Sequence, residues 1–195
     1  RFISNYSTGK MGVAIADAAA RRGAEVTLVL GPSEVRPQHS GVDVINVESA
    51  REMLEACQTH FPGCDIAVMT AAVADYTVAN PAEHKIKREG NRPPVIEFVQ
   101  NPDIAATLGA CKKPGQILVG FALETDNEEN NALDKIRRKN LDFVVMNSLR
   151  DHGAGFATDT NKVTIFNRDG SSQAFQLKSK MQVAEDILDA VTKVE

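Results

Sequence analysis

The chain has 195 residues, 43% of them hydrophobic and 25% charged, with a formal net charge of −4. That is enough material for one sizeable core; the acidic balance gives no general attraction to nucleic acid, and no apolar run approaches the roughly 18–20 residues of a membrane span. The three cysteines (Cys57, Cys64, Cys111) and the four scattered histidines (His39, His60, His84, His152) form neither a disulfide framework nor a zinc spacing, so reduced thiols in a cytoplasmic protein are expected.

Arg1–Gly12, RFISNYSTGKMG, is a polar, glycine-bearing turn that runs into an alanine-rich helix pattern, Gly12–Arg22, closed by Gly23. A helix start offers unpaired N–H groups and the positive end of the helix dipole, so an anionic ligand is expected there. Such turns ordinarily follow the first strand of a parallel sheet. With no strand before Arg1, the chain is expected to be an N-terminally truncated piece of something longer, forming a single nucleotide-binding domain over 1–195.

Strands are predicted at Glu25–Leu30 and Asp43–Val47, the first ended by Gly31-Pro32. Ser49-x-x-Glu52 is a capping box for a helix to about Phe61, and Asp65–Thr70 reads as a central parallel strand buried on both faces. The alternation pauses over Ala71–Gln100, a stretch with small residues, the basic set Lys85, Lys87 and Arg88, and a predicted strand Val95–Val99. Asn101-Pro102-Asp103 is expected to open a helix with Asn101 as cap and Pro102 at the first helical position. Then come a buried strand Gln116–Ala122, a charged helix Asn127–Lys139 and a strand Phe143–Met146. Lys162–Asn167 and Gln173–Leu177 form a predicted hairpin around Asp169-Gly170, and Ser179–Val194 is a closing helix. The sum is α/β: a doubly wound, Rossmann-like, mostly parallel sheet with an antiparallel C-terminal hairpin. Ligands of such sheets bind beyond the carboxyl ends of the strands, which selects Ala71–Asp75, Phe121–Thr125, Asn147 and the opening turn.

Individual motifs are weak. Thr8-Gly9-x-x-Gly12 is a partial dinucleotide fingerprint, but no acidic residue follows the next strand to hold a ribose, and Arg36 alone does not argue for a 2′-phosphate. Tyr6-x-x-x-Lys10 has the spacing of a short-chain reductase pair in the wrong place, with Gly9 inside it. Asp75 can accept ribose hydroxyls or hold Mg²⁺, with a plain turn residue as the alternative. Lys135 and Lys139 project from one helix face. Taken together, three cationic sets lie near the predicted ligand edge of an acidic protein.

As a set, Arg1-x-Ile3-Ser4-Asn5-x-Ser7-x-Gly9-Lys10-Met11-Gly12, Ala71-Ala72-Val73-Ala74-Asp75-Tyr76, Lys85-Ile86-Lys87, Asn101-Pro102-Asp103-Ile104 and Gly120-Phe121-Ala122-x-Glu124-Thr125 closely resemble the phosphopantothenoylcysteine synthetases. These are the phosphopantothenate–cysteine ligases of coenzyme A biosynthesis. The resemblance spans nearly the whole chain. It implies that the carboxylate of 4′-phosphopantothenate attacks the α-phosphate of CTP, with Mg²⁺, releasing pyrophosphate, and that cysteine then displaces CMP from the acyl-cytidylate.

It also implies residue roles: Lys85 on the triphosphate, and Asn5 with Arg1 on the acyl-cytidylate. Met69, Thr70, Ala71, Asp75, Pro102, Asp103, Ile104, Ala105, Phe121, Lys135 and Lys139 would surround the nucleotide, with Asp75 on the metal. We further expect Ser7, Gly9, Gly12 and Ala72 to form part of the phosphopantothenate pocket. The family implies a homodimer, an inserted arm between Tyr76 and Gln100 that meets the partner, and, in many bacteria, fusion to an N-terminal flavin-dependent decarboxylase. Arg88 departs from the usual Lys of the basic run, keeping charge but changing geometry. Two readings stand against this one: an NAD(P)-dependent oxidoreductase of the same fold, and a nucleotide-binding fragment without catalysis.

Overall fold

A computed structural model describes residues 5, 7–82, 84, 86, 95–124, 128–148 and 158–193. The first helix, α1, spans Lys10–Arg21 and buries Val13, Ala14, Ala18 and Ala20 among its neighbours. It starts earlier than the expected Gly12 because Gly9 serves as N-cap with φ 76°, a left-handed conformation that glycine adopts freely. It stops where the sequence indicates, before Gly23.

β1 (Val26–Leu30) and β2 (Val42–Asn46) pair in parallel as their own two-stranded sheet. The main sheet contains β3 (Ile66–Met69), β6 (Ile117–Glu124), β7 (Phe143–Ser148), β9 (Val163–Asn167) and β10 (Ser172–Ala174). Its order is β10-β9-β7-β6-β3, with β3, β6 and β7 parallel and the last two strands antiparallel. The fold is therefore α/β with a mixed, mostly parallel sheet, and the expected C-terminal hairpin is its edge. The expected single sheet is instead two ladders, joined through α1. A side chain at Gly9 would meet Leu30 at the end of β1, and one at Gly12 would meet Thr70 just after β3.

Helices cover both faces. On one side α1 and α5 (Lys180–Thr192) pack against Val119, Phe143, Val145 and Ile165. On the other, α2 (Ala50–His60), α3 (Ile104–Cys111) and α4 (Glu128–Lys139) pack against Leu118, Ala122, Val144 and Met146. The strand residues alternate between these two cores, which is why the buried strands read as unbroken apolar runs. No helix among the described residues is long and apolar enough to cross a membrane.

Four local expectations change. β3, expected as a central strand buried on both faces, is the edge strand beside β6, and its residues are half-buried because no strand pairs with its other side among the described residues. The strand predicted at Val95–Val99 is β5, Phe98–Gln100, and it pairs antiparallel with an unpredicted β4, Tyr76–Val78. The second hairpin strand is shorter than Gln173–Leu177, because Lys178–Ser179 (β11) turns to pair with Thr160–Asn161 (β8). Asn101 does not cap α3. Asp103 does, its carboxylate accepting the Ala106 N–H at 3.0 Å, and Pro102 precedes the cap. Asp103 wins because Asn101 is engaged elsewhere, through Nδ2 on the Ala74 carbonyl. The Ser49 cap on α2 stands as expected, with Glu52 reaching back to the Glu48 N–H at 2.9 Å.

Candidate functional site

The parallel register places Met69 beside Gly120 and Leu123 beside Asn147. The segments that follow β3 and close β6 and β7 therefore share one carboxyl edge. Above it sits the first turn of α1. An added Cβ at Gly12 would lie 2.7 Å from Thr70 Oγ1, so the absence of a side chain is what lets the helix start approach the end of β3.

Hydrogen bonds gather the rest. Asn5 Nδ2 donates to the Ala72 carbonyl at 3.1 Å, tying the opening turn to the segment after β3 across 67 positions. Asn101 Nδ2 donates to the Ala74 carbonyl at 2.8 Å, and its backbone N–H donates to the Asp75 carbonyl at 2.8 Å. These two bonds seat Pro102–Ala105, the start of α3, beside the same segment. Lys139 Nζ then pairs with the Asp103 carboxylate at 2.9 Å, bringing the far end of α4 to the start of α3. Asn5, Met69–Asp75, Pro102–Ala105 and Lys139 are thus brought together. Asp75 and Ala71 are exposed; Ser7, Gly9, Gly12, Thr70 and Ala72 are half-buried.

Other expected members sit apart. Phe121 is half-buried on the α1/α5 side of the sheet, whereas Lys139 belongs to the face covered by α3 and α4. Lys135 is half-buried on α4. Arg36 spends its guanidinium on the Ser33 carbonyl at 2.6 Å, within its own loop. Arg1, Lys85, Lys87, Arg88 and Tyr6 lie outside the described residues.

Burial by itself would raise the Asp103 carboxyl. The Ala106 N–H, the Lys139 ammonium and the nearby Arg138 charge outweigh that and hold it below the usual carboxylate range. Two features escaped sequence reading. Lys10 Nζ meets Asp159 Oδ1 at 2.6 Å, fastening α1 to the residue before β8 across 149 positions, and the buried Lys180 ammonium donates to the Thr158 carbonyl. Nothing in the local pattern of either segment signals these pairings. Among the described residues there is no group of three metal-binding side chains. Asp75 is an exposed hard oxygen donor at the edge, while the Asp103 carboxylate there is already engaged by Lys139 and the Ala106 N–H; a single carboxylate suits a Mg²⁺ ion held mainly by nucleotide phosphates.

Residues 1–194 match the family model described as the DNA/pantothenate metabolism flavoprotein C-terminal domain. The chain belongs to this family. One relative, a cysteine/cysteine sulfinic acid decarboxylase from an unknown prokaryotic organism, is 55% identical over 96% of the chain and 52% of its own length. The coenzyme A biosynthesis bifunctional protein CoaBC of Bacillus subtilis (strain 168) is 42% identical over 98% of the chain and 47% of its own length. The chain thus spans about half the length of the curated relatives it matches. A crystal structure of the C-terminal domain of CoaBC superposes with a TM-score of 0.80 at 40% identity, covering 98% of this chain and 85% of that one. That flavoprotein C-terminal fold is the α/β arrangement described above.

Proposed function

We propose that this chain is a phosphopantothenate–cysteine ligase domain, joining 4′-phosphopantothenate to L-cysteine at the expense of CTP. The observation that carries the reading is the cluster at the end of β3. There Asn5, Ala71–Asp75 and the start of α3 are hydrogen-bonded into one edge, in a chain 42% identical to a coenzyme A bifunctional protein.

A carboxylate is a poor acyl donor until one of its oxygens becomes part of a good leaving group. Its oxygen attacks the α-phosphorus of CTP, a P–O bond forms, and pyrophosphate leaves. The cysteine amine then attacks the acyl carbon of the acyl-cytidylate, CMP leaves, and the amine proton passes to solvent. Both steps gather negative charge, which fixed cations and oriented N–H groups stabilise. α3 and α1 both start at that edge, and a helix start carries N–H groups suited to an anion. Lys139 supplies charge there, Lys135 stands one turn before it on α4, and Lys85 is assigned to the triphosphate. Asn5, held on the Ala72 carbonyl, orients the acyl-cytidylate with Arg1. Met69, Thr70 and Ala71 offer backbone to the nucleotide, Phe121 an aromatic surface from the α1 side, and Ser7, Gly9, Gly12 and Ala72 line the phosphopantothenate pocket. Asp75 would hold Mg²⁺, whose charge neutralises the triphosphate.

The ribbon of β4 and β5 supports a homodimer. Val95 is 98% exposed and Phe98 47%, alongside exposed Tyr76, Ile96 and Val99, a run of apolar side chains suited to a second copy. Fusion to a flavin-dependent decarboxylase is the arrangement we infer for the full-length protein.

The test is pyrophosphate release by the purified chain with CTP, Mg²⁺, phosphopantothenate and cysteine. Release requiring both CTP and phosphopantothenate, and lost in Lys85→Gln, supports the ligase. Release of CO₂ from cysteine without nucleotide would replace it with the activity named for the first relative.

A further inference from the structure

Asn161 is 1% exposed, one of three polar or charged side chains buried among the described residues. Its Oδ1 accepts the backbone N–H of Lys162 at 3.2 Å, and its Nδ2 donates to Asn147 Oδ1 at 2.8 Å. The order of these two bonds is forced. A backbone N–H can only donate, so the oxygen end of the Asn161 amide must face Lys162 and its NH₂ end must face Asn147. Asn147 in turn must present its oxygen inward and its own NH₂ outward. That NH₂ has no acceptor among the described residues. Since no buried side-chain nitrogen or oxygen there is left without a partner, it reaches solvent.

The place where it emerges matters. Asn147 lies next to the last residue of β7, opposite Leu123 of β6. By strand alternation it shares the α1 side with Val145 and, on the neighbouring strand, with Phe121. Met11, in the first turn of α1, touches the same Asn161 amide through its sulfur at 3.9 Å.

We propose that Asn161 is a positioning residue that sets the polarity of this relay, so that the carboxyl edge offers the Asn147 NH₂ as a donor to an acceptor oxygen of the bound nucleotide. The ligand half of this inference rests on the nucleotide-dependent reading above; the relay itself does not. A buried asparagine used only for packing would leave the direction of the Asn147 amide without consequence.

Two substitutions reverse the polarity from opposite ends. Asn161→Asp still accepts from Lys162 but turns an acceptor toward Asn147, whose amide must rotate and present its oxygen outward. Asn147→Asp keeps the bond from Asn161 and replaces the outward NH₂ with a carboxylate oxygen, at a position that is only half-buried. Each should weaken binding of CTP with Mg²⁺ by about tenfold or more, the scale of one lost hydrogen bond. Asn147→Asp should do so at a thermal midpoint near that of the parent chain, and Asn161→Asp, which buries a carboxyl group, at a lower midpoint, so its binding is measured well below that midpoint. In the Asn147→Ala background, Asn161→Asp should weaken binding no further. Ligand-free NMR reads the relay separately. The Asn147 side-chain NH₂, assigned by its loss in Asn147→Ala, exchanges fast in the parent chain and gains one protected proton in Asn161→Asp. An unchanged NH₂ signal in Asn161→Asp overturns the relay. CTP affinity within twofold of the parent in Asn147→Asp overturns its role at the edge. A parent chain that binds no CTP overturns the functional reading, with the NMR result still deciding the relay.

Discussion

Replacing Gly109 with alanine should strain both the fold and the edge. Here α3 crosses α4 with no room for a side chain. An added Cβ would lie 1.9 Å from the Lys139 carbonyl oxygen, 2.9 Å from its carbonyl carbon and 3.3 Å from Asn140 Cβ. To reach even 3.0 Å from that oxygen the helices must part by about 1.1 Å, the difference of the two distances. The obstacle is backbone and cannot rotate aside. It is also pinned, because Asn140 sits at φ 51° and its Nδ2 donates to the Gly109 carbonyl at 2.8 Å. Parting the helices loosens Leu108 and Ile136, 1% and 3% exposed, from their shared core. Overpacking of this kind costs about 1–3 kcal/mol, and moving backbone puts it at the upper end, so we expect a loss of about 3 kcal/mol in urea unfolding. Gly63→Ala is the control: its Cβ meets nothing within 4 Å and its φ is ordinary, so it should be neutral or gain up to about 1 kcal/mol. Gly109→Ala also draws Lys139 from Asp103, so CTP affinity should fall while Gly63→Ala leaves it unchanged. A Gly109→Ala protein within about 1 kcal/mol of the parent would refute the crossing as described.

Asp103→Ala should cost about 1 kcal/mol at neutral pH, mostly as a lost helix cap, since the half-exposed pair with Lys139 adds at most a few tenths. Because the folded-state value of this carboxyl is depressed, its contribution is complete above the ordinary Asp range near 3.9 and is lost as pH falls through the lower folded value. Urea midpoints of parent and variant should therefore draw together in acid, and a constant difference would contradict this. Burial pushes the Cys57 and Cys64 thiols up, whereas Cys111 is exposed. Iodoacetamide followed by peptide mapping should modify Cys111 well before the other two, and equal rates would count against that burial. Phe98→Glu on the apolar ribbon should convert a dimer to a monomer in sedimentation velocity with the urea midpoint unchanged; an unaltered dimer would place the interface elsewhere.

What was legible in the sequence is local. The Ser49 cap, the stop at Gly23, the buried runs of β6 and β7 and the hairpin at Asp169-Gly170 each depend on residues within a few positions of one another, and each is found where it was expected, whereas the apolar run of β3 marks a strand but not its half-buried place at the sheet edge. The cap of α3 went to the wrong residue for a reason no local rule contains. Asn101 and Asp103 are both good caps, and the choice is made by the Ala74 carbonyl, 27 positions earlier, which takes the Asn101 amide. β4 was missed for a similar reason: three residues of an exposed ribbon have no buried face to impose a period, and only the pairing with β5 makes them a strand.

The same distinction runs through the edge itself. A list of polar residues after strands locates the edge, because in a parallel sheet every strand ends on the same side. It does not say which of the two faces each side chain takes. Strand alternation sets Phe121 with Asn147 on the α1 side, while the Asp103–Lys139 pair belongs to the side of α3 and α4. A ligand that uses both sets must therefore pass over the end of the sheet between them. Its route runs beside Ala71–Asp75, the segment to which Asn5 and Asn101 are both hydrogen-bonded. Small side chains there are a geometric requirement of that route: Ala71, Ala72 and Ala74 leave backbone and little else between the two faces, so a bulky substitution at Ala72 should block ligand binding more than it disturbs the two cores on either side.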